Sequence, residues 1–74
     1  MNIVGKNARI ISANDKTKNG LEGKIVYETA NTIIFETQRE RKMVEKRGTR
    51  LLINGEMVDG ESILGRIERR IVKN

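Results

Sequence analysis

Apolar residues recur along this chain in five short runs, ARIISA (8–13), KIVYET (24–29), TIIFET (32–37), KMVEK (42–46) and RLLI (50–53). Each is rich in Ile, Val or Leu and bounded by polar or Gly-containing connections, the spacing of a small all-β sandwich or barrel. The connections carry turn chemistry. NDKTKNG (14–20) ends in Asn19-Gly20, KRGT (46–49) holds Gly48, and NGEM (54–57) repeats the Asn-Gly pair that marks tight hairpins. Five or six antiparallel strands are therefore predicted. Gly20 and Gly23 fit a turn that needs positive φ and a close strand crossing.

The stretch GLEGKIVYETANTIIFET (20–37) holds the only Tyr and the only Phe, and no Lys or Arg after Lys24. It reads as a hairpin of strands 23–29 and 32–37 with Ala30-Asn31 at the bend. A two-residue loop sets Tyr27 opposite Ile34 and Val26 opposite Phe35, so both faces are apolar. One face lines the interior. The other is covered by the rest of the chain or by another molecule, or the strands are buried on both sides of a strongly bent barrel. Both strands end in Glu-Thr, at Glu28-Thr29 and Glu36-Thr37. Such side chains can hydrogen-bond neighbouring backbone at a bend. In SILGRIERRIVKN (62–74) the period changes: Ile63, Leu64, Ile67 and Ile71 share one side and Arg66, Arg69, Arg70 and Lys73 the other. That pattern predicts a short amphipathic C-terminal helix, weakened by Gly65, which must dock on its own domain or a partner.

Length and composition narrow the function. A chain of 74 residues is one domain, and it has neither Cys nor His. Disulfide and zinc scaffolds are excluded, as are Ser-His-Asp and Cys-His nucleophile systems, so no catalytic residue and no metal ligand is assigned. Glu28, Glu36, Asp59 and Glu61 are read as strand-end and turn residues, and no Gly-rich nucleotide cradle is present. No apolar run reaches a signal-peptide core or the ~20 residues needed to span a bilayer, which leads us to expect a cytoplasmic, non-membrane protein.

Charge points to a polyanion. Lys and Arg number 15 against 10 acidic residues, a net +5. The densest run, RERKMVEKRGTR (39–50), puts Arg39 and Arg41 on one strand face and Lys42 with Lys46 on the other, followed by Arg47 and Arg50. Lys16 and Lys18 form a second cluster, and Arg66, Arg69 and Arg70 a third. A solvated face would also explain such runs. Clustering at loops, away from the uncharged hairpin, favours phosphate. Two aromatics on opposite faces cannot form a row of stacking platforms, so structured RNA is the expected target rather than single strands.

Several elements together resemble protein component 1 of archaeal ribonuclease P, over about residues 5–73: Gly20-x-x-Gly23, Glu28-Thr29-x-Asn31-Thr32, Glu36-Thr37, Lys46, and Gly65-Arg66-x-Glu68-x-Arg70-Ile71. The resemblance implies one Sm-like RNA-binding domain over 1–74, a strongly bent antiparallel barrel. It also implies a ribonuclease P subunit that supports 5′ cleavage of precursor tRNA, with the active site and its magnesium on the RNA and no cofactor on the protein. The implied partners are the specificity domain of the ribonuclease P RNA, a zinc-containing protein subunit and other ribonuclease P proteins. The basic residues above would meet RNA, and Val26, Tyr27, Glu28, Ile63, Ile67 and Ile71 the protein partner.

Two other classes compete. GKNARIISANDKTKNGLEGKIV (5–26) has the order of a KOW-type ribosomal or transcription-elongation barrel, but covers only the first third. A pure protein-interaction adaptor would not need basic loops.

Overall fold

A computed structural model describes residues 2–65. Six strands follow in order: β1 (Asn7–Ser12), β2 (Glu22–Glu28), β3 (Thr32–Glu36), β4 (Arg41–Glu45), β5 (Arg50–Ile53) and β6 (Glu56–Asp59). Single 3₁₀ turns occupy Lys16–Lys18 and Gly60–Ile63. All neighbours are antiparallel in one sheet of order β4-β3-β2-β1-β5-β6, which is not closed by a ladder between β4 and β6.

A lone sheet can bury one face only by bending round it. Every strand contributes to a single core: Ala8 and Ile10, Ile25, Ile33 and Phe35, Val44, Leu51 and Ile53, and Val58, closed by Ile3 and Ile63. The bend brings the two edges together. A Cβ on Gly60, just after β6, would lie 1.7 Å from the carbonyl oxygen of Lys46, just after β4. Gly23 serves a similar purpose at the other end, where a Cβ would meet the Glu36 carbonyl oxygen at 2.4 Å. Gly20 takes φ +82°, and Asn54-Gly55 turns β5 into β6 with both residues at positive φ, as Asn-Gly chemistry requires.

The central hairpin has the anticipated loop, with the Thr29 N–H donating to the Thr32 carbonyl at 2.9 Å. Tyr27 does face Ile34, but Ile25, not Val26, faces Phe35. A β-bulge between Ile25 and Tyr27 absorbs Val26. The extra residue keeps Ile25 in the core while Tyr27 points outward. A helix beginning at Ile63 does not form: Ile63 ends a 3₁₀ turn, Leu64 is extended (ψ 148°) and Gly65 sits at φ +91°. Residues 66–74, with Ile67 and Ile71 of the anticipated stripe, lie outside the described residues.

Candidate nucleic-acid interface

The anticipated basic residues among those described do not form one patch, and one of them, Lys46, is buried. Lys46 shares the inward parity of Val44 on β4, and its side chain is wholly buried. Its ammonium donates to Glu28 Oε1 at 2.9 Å, to the Ile63 carbonyl at 2.8 Å and to the Gly65 carbonyl at 3.2 Å. Three donors meet three acceptors, the condition under which a charge can be buried. Lys46 is therefore an internal tie and not a phosphate ligand. The same constellation removes Glu28 from the outer partner face, since its side chain is 6% exposed, and Ile63 belongs to the core.

The remaining cations divide between the two ends of the sheet. At one end Lys18 and Arg47 line a common cavity with Asn14 and Thr49, Lys16 lies in the adjoining 3₁₀ turn, and Arg50 pairs in register with Ser12 at the end of β1. Two carboxylates hold the loops that carry them. Asp15 Oδ1 accepts from the Thr17 hydroxyl at 2.6 Å and the Thr17 N–H at 3.0 Å, which lowers its pKa. Glu61 Oε2 accepts from the Gly48 N–H at 3.0 Å, which is the main reason its pKa is also lowered. At the other end, Arg39 and Lys42 line a groove with Lys24, an exposed cation that sequence reasoning missed. Lys24 stands alone at an outward position of an apolar strand, so no charge run announces it. Arg41 and Lys42 are partly neutralised, by Glu36 at 3.3 Å and Glu40 at 3.0 Å. Lys16, Lys18, Arg39, Arg47 and Arg50 make no ion pair among the described residues. Arg66, Arg69 and Arg70 lie outside them.

Between these ends runs an apolar row. Register places Tyr27, Ile34 and Met43 side by side on the outer face of β2, β3 and β4. Tyr27 is 59% exposed and Met43 61%, and the half-buried bulge residue Val26 helps line the shallow concavity they form. Ile34 and Met43 were not anticipated as partner residues, because Met43 sits inside the charge run. Among the described residues no group of three Asp, Glu, His or Cys side chains could hold a metal ion.

Comparison with known proteins shows the family. The family profile described as ribonuclease P/MRP, subunit p29, matches residues 1–73. The chain belongs to that family. Ribonuclease P protein component 1 of Thermoplasma acidophilum is 34% identical over 67 residues, covering 90% of this chain and 77% of the relative. That of Methanocaldococcus jannaschii is 32% identical over 76 residues, covering 96% and 80%. The solved structure of Mth11, a homologue of the human RNase P protein Rpp29, superposes with a TM-score of 0.66 at 25% identity over 93% of this chain and 96% of the other. A KOW-type reading accounts only for the β1, 3₁₀ turn and β2 portion of this match.

Family membership gives the converging motifs a physical meaning. Glu28, Lys46 and Gly65 come from three separate motif elements and meet in one buried tie. Thr29 and Thr37 close the two hairpin turns. Thr29 Oγ1 accepts from the Thr32 N–H at 3.0 Å, and Thr37 Oγ1 accepts from the Glu40 N–H at 3.1 Å. Among the described residues, these motif positions shape the fold.

Proposed function

We propose that this chain, as a protein subunit of ribonuclease P, supports 5′ maturation of precursor tRNA without performing the cleavage itself. It binds the ribonuclease P RNA through its basic ends and packs a zinc-containing protein subunit on the row Tyr27, Ile34 and Met43. The observation that carries the reading is the family match over residues 1–73. The surface supports its division of labour, with solvated cations at both ends of the sheet and an uncharged row between them. We also assign the curled sheet to the Sm-like barrels, a reading supported by the contact of Gly60 with Lys46 across the open edge. Bound magnesium on the RNA supplies the chemistry, and the polypeptide reduces repulsion between phosphates.

Reconstitution tests this. The purified chain leaves precursor tRNA intact at any magnesium concentration. Added with its partner subunit to the cognate ribonuclease P RNA, it lowers the magnesium needed for 5′ cleavage. Specific cleavage by RNA-free protein, or an unchanged magnesium requirement in the assembled complex, overturns the reading. Hydrogen exchange locates the partner: protection appears at residues 26–27, 34 and 43, and not at Ile63, which is buried in the free chain.

A further inference from the structure

Two loops face each other at one end of the sheet. The β1–β2 loop brings Asn14 and Lys18, the end of β4 brings Glu45 and the β4–β5 loop brings Arg47, and all four line one cavity of about 220 Å³. Its walls are fixed from within. Asp15 Oδ1 accepts from the Thr17 N–H, Asn19 Oδ1 from the Ala13 N–H at 2.9 Å and Glu61 Oε2 from the Gly48 N–H, while Thr49 Oγ1 donates to the Glu45 carbonyl at 2.7 Å. The loops touch at Gly48, where φ is +71° and a Cβ would overlap the Asn14 side chain. Those polar groups are spent on the protein itself. The side chains of Asn14, Lys18, Glu45 and Arg47 make no hydrogen bond or ion pair among the described residues. A rigid cavity is thus lined by one carboxylate, one amide and two cations that nothing in the fold uses.

We propose that this cavity takes one unpaired guanine of a structured RNA, with Glu45 reading its Watson–Crick edge. The inference rests on the reading of the chain as an RNA-binding subunit of ribonuclease P, and names what one of its basic ends recognises. A cavity of this size holds a single base and not a stack. That suits a chain without a row of aromatic platforms, because a base turned out of a helix or loop is read by its hydrogen-bonding edge. Guanine alone among the four bases presents adjacent donors, N1–H and N2–H, on that edge. An ionised carboxylate only accepts, and its two oxygens match the pair. Adenine, cytosine and uracil each set an acceptor beside their donor, which would face a carboxylate oxygen unpaired. The Asn14 amide offers a donor for guanine O6, and Ala13 and Val44 give the cavity apolar surface for the ring. Lys18 and Arg47 hold the phosphates on either side of the base, a role that carries no sequence information.

The test titrates the full chain with the four nucleoside 5′-monophosphates and follows the Gly48 backbone amide and the Asn14 side-chain amide by NMR. GMP should saturate both at a concentration roughly tenfold below the other three, since a site built to hydrogen-bond one edge rejects bases that lack it. Glu45→Gln should bring the four nucleotides within about twofold of one another, whereas Lys18→Gln with Arg47→Gln should weaken all four alike and keep the preference. Asn14→Ala is the second variant should Glu45→Gln fail to fold, and should cut the preference about threefold. A second assay measures affinity for the cognate ribonuclease P RNA made by transcription. Here Glu45→Gln should weaken binding roughly tenfold without changing the slope of log affinity against log salt, because no phosphate contact is lost. A carboxylate that merely repels phosphates gives the opposite sign, tighter binding of every RNA, and overturns the proposal. Equal saturation by the four nucleotides overturns it, and so does a folded Glu45→Gln chain that keeps the preference for GMP. Failure of the parent chain to prefer the cognate RNA over an unrelated folded RNA overturns the functional reading as well, whereas a parent that prefers it, with Glu45→Gln indifferent in both assays, overturns this inference alone.

Discussion

Strands β2 and β3 end in the same dipeptide with opposite consequences. At Thr29 and at Thr37 the turn is built alike. Each threonine N–H donates to the carbonyl three residues on, at 2.9 and 2.8 Å, and each hydroxyl oxygen accepts the N–H of that residue in place of the threonine's own carbonyl. Neither loop uses a residue at positive φ. The preceding glutamates differ. Glu28 meets Lys46 in the interior, with 6% and 0% of the side chains exposed, whereas Glu36 meets Arg41 on the surface, with 49% and 69% exposed. A turn is a local device and works wherever the chain places it. An ion pair takes its energetic meaning from the solvent around it.

The largest expected effect separates the two glutamates. Glu28→Ala strands the Lys46 charge and should cost about 3–5 kcal/mol in urea denaturation. Glu36→Ala should stay within about 0.5 kcal/mol. Comparable losses would erase the distinction between the pairs.

The threonines sharpen the comparison from the other side. Thr29→Val and Thr37→Val each remove a hydroxyl that satisfies backbone N–H groups, and should each cost about 1 kcal/mol. The two values should agree within the error of the measurement, because the turns are alike. A large cost at one position only would show that the hydroxyl serves something besides its turn.

A third contrast concerns cations near the second turn. Arg39 makes no ion pair among the described residues, while Arg41 is bound to Glu36. Replacing Arg39 by Gln should flatten the plot of log affinity for ribonuclease P RNA against log salt by roughly 0.7–0.9, the value of one phosphate contact. Arg41→Gln should change it less, since Arg41 is already partly neutralised by Glu36 and replaces fewer condensed counterions.

The smallest effect is with pH. The carboxyls of Asp15 and Glu61 have pKa values lowered by their hydrogen bonds to Thr17 and Gly48. A lowered folded-state pKa contributes stability that is full above the unfolded value and lost as pH falls through the folded one. The urea midpoint should therefore decline below the ordinary carboxylate range, and Glu61→Gln should make that decline shallower. Both groups are solvent-exposed, so the effect is modest beside the loss expected for Glu28→Ala.

Much of this molecule is written in stretches of a few residues. Alternation places Ile33 and Phe35 inward and Ile34 outward, Asn54-Gly55 and Asn19-Gly20 announce their turns, and Thr29 and Thr37 close theirs with their own side chains. Three features needed the folded chain. The bulge at Val26 exists because the strand must bend while keeping both Ile25 and Glu28 on the core side. Gly60 is required by an edge of the sheet that meets it only after the bend. Lys46 sits in a run of solvated cations and carries the inward parity of Val44, yet its three acceptors lie 17 to 19 residues away along the chain. Strand period and turn chemistry depend on neighbours in sequence, whereas solvation of a charge depends on neighbours in space, and that difference made Lys46 legible only in the tertiary structure.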